Sequence, residues 1–188
     1  TPFFLQGQFS FSQGSNENNF DGSRKQDFAY TGRLSTSVDL NDHWTLLTGV
    51  SSAFGFNQSG PGNLTWLLGG DLLLKWKPSA NQGFEWQTEY IYRRRKNPDF
   101  TESEGGISSY ALAQFNKRWG AGIRFDYLGL PVETEKTFQL SPLVSLNLSE
   151  YFRLRAQYDY TKTIGGESNH TGILQLIFNM GPHGAHQF

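Results

Sequence analysis

Cysteine is absent from the 188 residues, which removes a disulfide framework, a thiolate zinc site and a thiol nucleophile from consideration. Charge of one sign is also missing, since 16 Lys and Arg face 17 Asp and Glu for a net charge of -1. No basic field therefore points to nucleic acid. No run of about 18 apolar residues occurs, so no membrane-spanning helix is expected. Nor do the first residues, TPFFLQGQFSFSQG, show the basic start and apolar stretch of a signal peptide. Either an export signal has been removed or the chain begins partway through a longer protein. The motifs of common hydrolases are missing too, with no GxSxG elbow and no HExxH helix.

What is present is glycine and aromatic side chains: 21 Gly, 5 Trp, 8 Tyr and 16 Phe. That composition favours strands and turns over helices. Period-two alternation runs through the chain in about ten segments. The clearest is FRLRAQYDY, where Phe152, Leu154, Ala156, Tyr158 and Tyr160 alternate with Arg153, Arg155, Gln157 and Asp159. Equivalent segments begin near Phe3, Phe28, Trp44, Leu64, Phe84, Trp119, Phe138 and Leu174, and one, ISSYALAQF, is ambiguous in phase. A strand with grease on one side and full charges on the other suits lipid outside and a wet lumen inside. It also suits a soluble sandwich or ligand-binding barrel with its apolar face turned inward.

Two patterns favour the membrane. Connections after the even segments are short, such as Asn41-Asp42, Asn116 to Arg118 and Ser149-Glu150. Those after odd segments are longer and polar, such as QGSNENNFDGSRKQ, RRRKNPDFTESEGG and TKTIGGESNH. Short turns on one rim and long loops on the other are the mark of an up-and-down outer-membrane barrel whose short turns face the periplasm. Trp44, Trp76, Trp86 and Trp119, with Tyr151 and Phe152, lie beside the short connections and read as an interfacial girdle. Phe54, Phe56, Trp66, Tyr92, Tyr127 and Tyr160 are candidates for the opposite girdle. A small soluble barrel has no room inside for four or five large side chains from each strand.

The expected fold is thus all-β: one antiparallel up-and-down transmembrane β-barrel domain over residues 1–188, with about ten strands and residues 181–188 as a periplasmic tail. The wet face carries Arg33, Asp71, Lys75, Glu85, Glu89, Arg124, Asp126, Arg153, Arg155 and Asp159 as candidate lumen-lining residues. In a narrow barrel they would pair across the lumen as a plug, and in one of sixteen or more strands they would line an aqueous channel. Arg124, Arg153 and Arg155, on neighbouring segments, could bias such a channel toward anions, and the alternative is that the charges neutralise one another. The run RRRK, Arg93 to Lys96, at the long-loop rim could meet phosphates of an anionic outer leaflet or be solvated loop. His183 and His186 in the tail, with His43 on the same rim, are candidate zinc ligands, though a pair falls short of the usual three or four.

The stretches DLLLKWKP, FEWQTEYIYRRR, RWGAGIRFDYLGLP, LNLSEYFRLRAQYDYT and LQLIFNMGPHGAHQF resemble the C-terminal part of a poorly characterised family of bacterial outer-membrane, porin-like β-barrel proteins. The HGAH-type ending is the most specific piece. The resemblance implies an outer-membrane location, no catalytic residues and, from some members, a suspected connection with zinc uptake. Members are usually longer, so the resemblance also implies a C-terminal fragment. The functional expectation is a non-enzymatic channel for passive diffusion of small polar solutes or ions. Its partners would be outer-membrane lipid, lipopolysaccharide and the barrel-insertion machinery. A non-conducting structural or binding barrel is the rival, and a membrane-barrel hydrolase the minor alternative.

Overall fold

In the computed structural model, described for residues 3–16, 19–21, 27–57, 63–131, 136–149 and 151–178, the chain is all-β. Ten strands form one sheet: β1 (Phe3–Gln13), β4 (Phe28–Asp39), β5 (Trp44–Phe56), β6 (Leu64–Ser79), β7 (Gln82–Lys96), β8 (Thr101–Gln114), β9 (Trp119–Leu130), β10 (Thr137–Asn147), β11 (Phe152–Thr163) and β12 (Ser168–Phe178). A small hairpin, β2 (Ser15–Asn16) with β3 (Phe20–Asp21), interrupts the first connection. Every pairing in the large sheet is antiparallel and joins strands adjacent in the chain, as a meander requires. β1 and β12 stand at its two ends, each paired on one side.

Register fixes the faces, because directly opposed residues share a side of the sheet. One row crosses seven strands as Asp71, Glu89, Ser108, Asp126, Gln139, Thr161 and Asn169. A row of the other face runs Val38, Leu46, Leu74, Trp86, Ala111, Ile123. The ambiguous segment is resolved by the same rule. Tyr110 lies opposite Gln87 and Arg124 on the polar face, and Ala111 lies opposite Trp86 and Ile123 on the apolar one.

Among the described residues no second layer covers the apolar face. Among the described residues Ala29 is the one buried hydrophobic side chain, while Phe9 is 71% exposed, Val50 60% and Leu174 71%.

The connections correct the loop expectation. RRRKNPDFTESEGG is mostly strand: β7 runs through Lys96 and β8 starts at Thr101, leaving residues 97–100 as the turn. TKTIGGESNH likewise reduces to residues 164–167. The physical reason is cross-strand pairing, since Arg93 faces Glu104 and Arg95 faces Glu102. Polar residues that read as loop are held as strand by opposite charge across the ladder. Of these three stretches the first, between Gln13 and Phe28, keeps its expected length.

Three short turns are built alike. In NDHW, the Asn41 side chain accepts from the backbone N–H of His43 (2.9 Å) and Trp44 (3.1 Å), and Leu40 N–H donates to Trp44 (2.9 Å). In NKRW, Asn116 accepts from Arg118 (2.9 Å) and Trp119 (3.0 Å), and Phe115 donates to Trp119 (3.0 Å). In SEYF, Ser149 Oγ accepts from Tyr151 (3.3 Å) and Leu148 donates to Phe152 (2.9 Å). An Asn that accepts from the residues two and three places on, or a Ser that accepts from the residue two places on, makes a tight turn without glycine. The same spacing places an aromatic ring at the first residue of each following strand.

At the opposite rim, fully buried Asn57 ties three strands together. Its Nδ2 donates to Thr65 Oγ1 (3.0 Å) and to the carbonyl of Lys96 (3.0 Å). Asn57→Ala should destabilise the fold by about 1 to 3 kcal/mol, because a buried carbonyl and hydroxyl lose their donor. Urea unfolding measures this, and an unchanged midpoint would show that the rim does not depend on the amide.

Candidate functional site

The polar face is the candidate site, and all ten expected lumen residues lie on it. Five are cationic (Arg33, Lys75, Arg124, Arg153, Arg155) and five anionic (Asp71, Glu85, Glu89, Asp126, Asp159), so the lining is balanced. Its strongest contact joins β4 to β6 across β5. Arg33 donates Nη1 to Asp71 Oδ2 (2.6 Å) and Nη2 to Oδ1 (2.8 Å), a bidentate fork. The two strands are not neighbours, and Gly49 on β5 is what lets the fork lie flat. A Cβ at Gly49 would stand 2.6 Å from Arg33 Nη2 and 2.8 Å from Asp71 Oδ2.

Beside that pair runs a polar chain. Lys75 reaches Glu85 at 3.5 Å. The Tyr110 hydroxyl lies 2.7 Å from Glu85 and 2.8 Å from Gln87, and Gln87 donates onward to Glu89. A hollow of about 350 Å³ opens between Arg33, Asp71, Gln87 and Glu89. On the far strands Arg155 donates to Gln157 (2.9 Å) and Gln157 to Asp159 (2.8 Å).

The arginines expected to act together are separated. Arg124 is held by Asp126 at 2.8 Å, Arg153 by Asn147 at 2.7 Å, and Arg155 by Gln157. Arg155 lies level with Ser145 and Gly120, four residues along β9 from Arg124. They form no single cationic cluster.

Within the first connection Asn19 and Phe20 fold over this face. The Phe20 ring lies where a Cβ on polar-face Gly55 would be (2.9 Å), against Ala29, and Asn19 Oδ1 accepts from Arg93 Nη1 at 3.1 Å. Arg93 also pairs with Glu104. The β2–β3 hairpin thus reaches from β4 across β5 to β7 over the rim opposite the short turns. Sequence reading treated this stretch as plain loop. The one available cue was Phe20, an aromatic isolated in a polar run.

On the apolar face the aromatic residues form two belts. Trp44 and Trp76 are directly opposed, with ring centroids 6.0 Å apart, and Phe152 stacks on Phe178 at 4.6 Å. Trp86 donates its indole N–H to Ser109 (3.0 Å), Trp119 begins β9, and Tyr151 is exposed in the last short turn. The second belt runs Tyr30, Phe54, Trp66 with spacings of 5.0 and 5.1 Å, and continues on the far strands as Phe138 and Tyr160 at 5.9 Å. Trp66 and Trp76 share β6. At about 3.4 Å per residue they stand roughly 34 Å apart along the strand.

His43 is exposed in the first short turn, where its carbonyl accepts from Lys77 N–H at 2.8 Å. His183 and His186, with the tail 181–188, lie outside the described residues. Among the described residues no three His, Asp or Glu side chains are grouped to hold a metal ion.

No family model matches the chain and no solved structure matches it. Similarity is found to a protein of Aquifex aeolicus (strain VF5) named "Uncharacterized protein", 25% identical over 230 residues, covering 100% of this chain and 49% of that protein. The chain spans about half the length of that relative.

Gly49→Val should force the Arg33–Asp71 fork apart and destabilise the sheet by about 1 to 3 kcal/mol, the range for overpacking. A thermal melt reads the change. Wild-type stability in this variant would mean that the fork does not cross β5 where described.

Proposed function

We propose that the sheet is the wall of an outer-membrane β-barrel, a porin-like channel through which small polar solutes or ions diffuse passively. The carrying observation is the uncovered apolar face, bounded by two aromatic belts whose spacing along the strand, at the tilt of about 40° usual in such barrels, would span the roughly 25 Å apolar band. Water would finish such a face with a packed layer, whereas acyl chains need no further layer. In lipid the free ladders of β1 and β12 must be paired, so the proposal includes closure of the wall, by these strands with each other or with further strands. The short turns face the periplasm in this reading, as does the C-terminal end of β12. With five cations balanced by five anions and most of them held by partners, the lumen discriminates weakly by charge.

The hairpin across the polar face and the neutralised lining favour one rival, a plugged barrel that conducts little. Planar-bilayer recording separates the two. Discrete conductance steps that grow when Arg93→Ala releases Asn19 support a channel narrowed by the hairpin. A correctly folded, heat-modifiable barrel that stays silent with and without the substitution supports the plug.

Leu72 lies on the apolar face, one residue from Asp71 on the polar one. Leu72→Arg should destabilise the barrel in bilayers by about 2 to 4 kcal/mol if its position is near mid-span. Asp71→Asn should cost about 1 kcal/mol, the scale of a wetted ion pair. Equal costs in a urea titration from vesicles would overturn the lipid-facing assignment.

A further inference from the structure

The basic run Arg93 to Lys96 is divided by the strand it lies in. Arg93 and Arg95 project to the polar face, opposite Glu104 and Glu102. Arg94 and Lys96 project to the apolar face, opposite Ser103 and Thr101, and both are exposed. None of the ion pairs among the described residues involves either of them. Along this face of β7 the order is Phe84, Trp86, Thr88, Tyr90, Tyr92, then Arg94 and Lys96. Apolar and aromatic groups thus give way abruptly to two cations. Arg94 is directly opposite Trp66, the last ring of the second belt, which stacks through Phe54 to Tyr30. The backbone beneath is fixed, because the Lys96 carbonyl accepts from buried Asn57. The nearby carboxylate Asp99 lies in the turn beyond, and Glu102 and Glu104 are on the other side of the sheet.

We infer that Arg94 and Lys96 form a binding site for the phosphate of a lipid headgroup in the loop-side leaflet, seated above Trp66. This rests on the membrane reading proposed above. A ring belt marks the level where acyl chains end, and phosphates lie just beyond it. Guanidinium forks take two phosphate oxygens at once, and the ammonium of Lys96, two residues further out, adds a second positive charge. Arg93 and Arg95 have no part in the site, since their side chains face the lumen.

The test uses protein in which Trp44, Trp76, Trp86 and Trp119 are replaced by Phe, leaving Trp66 as reporter, reconstituted in phosphatidylcholine vesicles. Quenching of Trp66 by brominated phosphatidylglycerol relative to brominated phosphatidylcholine reads the preference for anionic lipid. Arg94→Gln and Lys96→Gln should each lower that preference about fivefold and together about 25-fold, the effect of one cation each at a membrane surface. Arg95→Gln should leave it unchanged. An inserted, heat-modifiable double variant with the wild-type preference would overturn the site while leaving the barrel intact. Loss of the preference on adding inorganic phosphate, but not an equal ionic strength of chloride, would overturn the lipid assignment in favour of a free anion. Protein that never inserts would overturn the site and the membrane reading together.

Discussion

Everything in this structure depends on the two-residue period of an antiparallel ladder whose register shifts only between Trp76 and Ser79 and between Gly105 and Gly106 among the described pairings. Once one pair is in register, each residue's side of the sheet is set by parity alone. A one-residue slip would move Asp71, Glu89 and Asp126 onto the apolar face and Leu46, Leu74 and Ile123 onto the polar one. That penalty is repeated on ten strands, which is why a sheet with Ala29 as its one buried hydrophobic residue among those described still specifies a single arrangement. Its order comes from main-chain hydrogen bonds and from the contrast between the two surfaces, with no interior in the usual sense.

The polar surface shows how charges are kept on such a sheet. Like charges stand opposed where Asp71 meets Glu89, an unfavourable pairing by itself. Arg33 relieves it from two strands away, and it reaches there because Gly49 leaves the intervening strand flat. Elsewhere amides and hydroxyls relay between ions, as Gln157 does between Arg155 and Asp159. Local pairing of this kind needs no opposite wall, so the lining is the same whether the sheet curls tightly or widely.

The strands and their faces were legible in the sequence because each rests on contacts with the nearest neighbours. FRLRAQYDY reads from period alone, and register puts all ten charged positions on one face of the sheet. The ISSYALAQF segment was not legible. Tyr110 is a large ring on the polar side, so hydrophobicity gave the wrong contrast, and its hydroxyl's place between Glu85 and Gln87 emerges only from register. Strand ends failed for a related reason: RRRK and TESE look like loop until Arg93 and Glu104 are seen to face each other. The inward placement of Asn19 and Phe20 was hidden because it rests on long-range contacts of the two side chains, which leave no period behind.

The likeness of the NDHW and NKRW turns extends beyond the turns themselves. In each, the carbonyl of the third residue accepts from the strand two places along, His43 from Lys77 at 2.8 Å and Arg118 from Asn147 at 2.7 Å. Hairpin, aromatic foot and grip on the next strand therefore come as one module, carried by a few residues of local sequence. A sheet assembled from such modules grows or shrinks by copying or deleting whole hairpins, with no redesign of the joints. In the proposed barrel, bore width would therefore be a matter of gene length more than of side-chain chemistry.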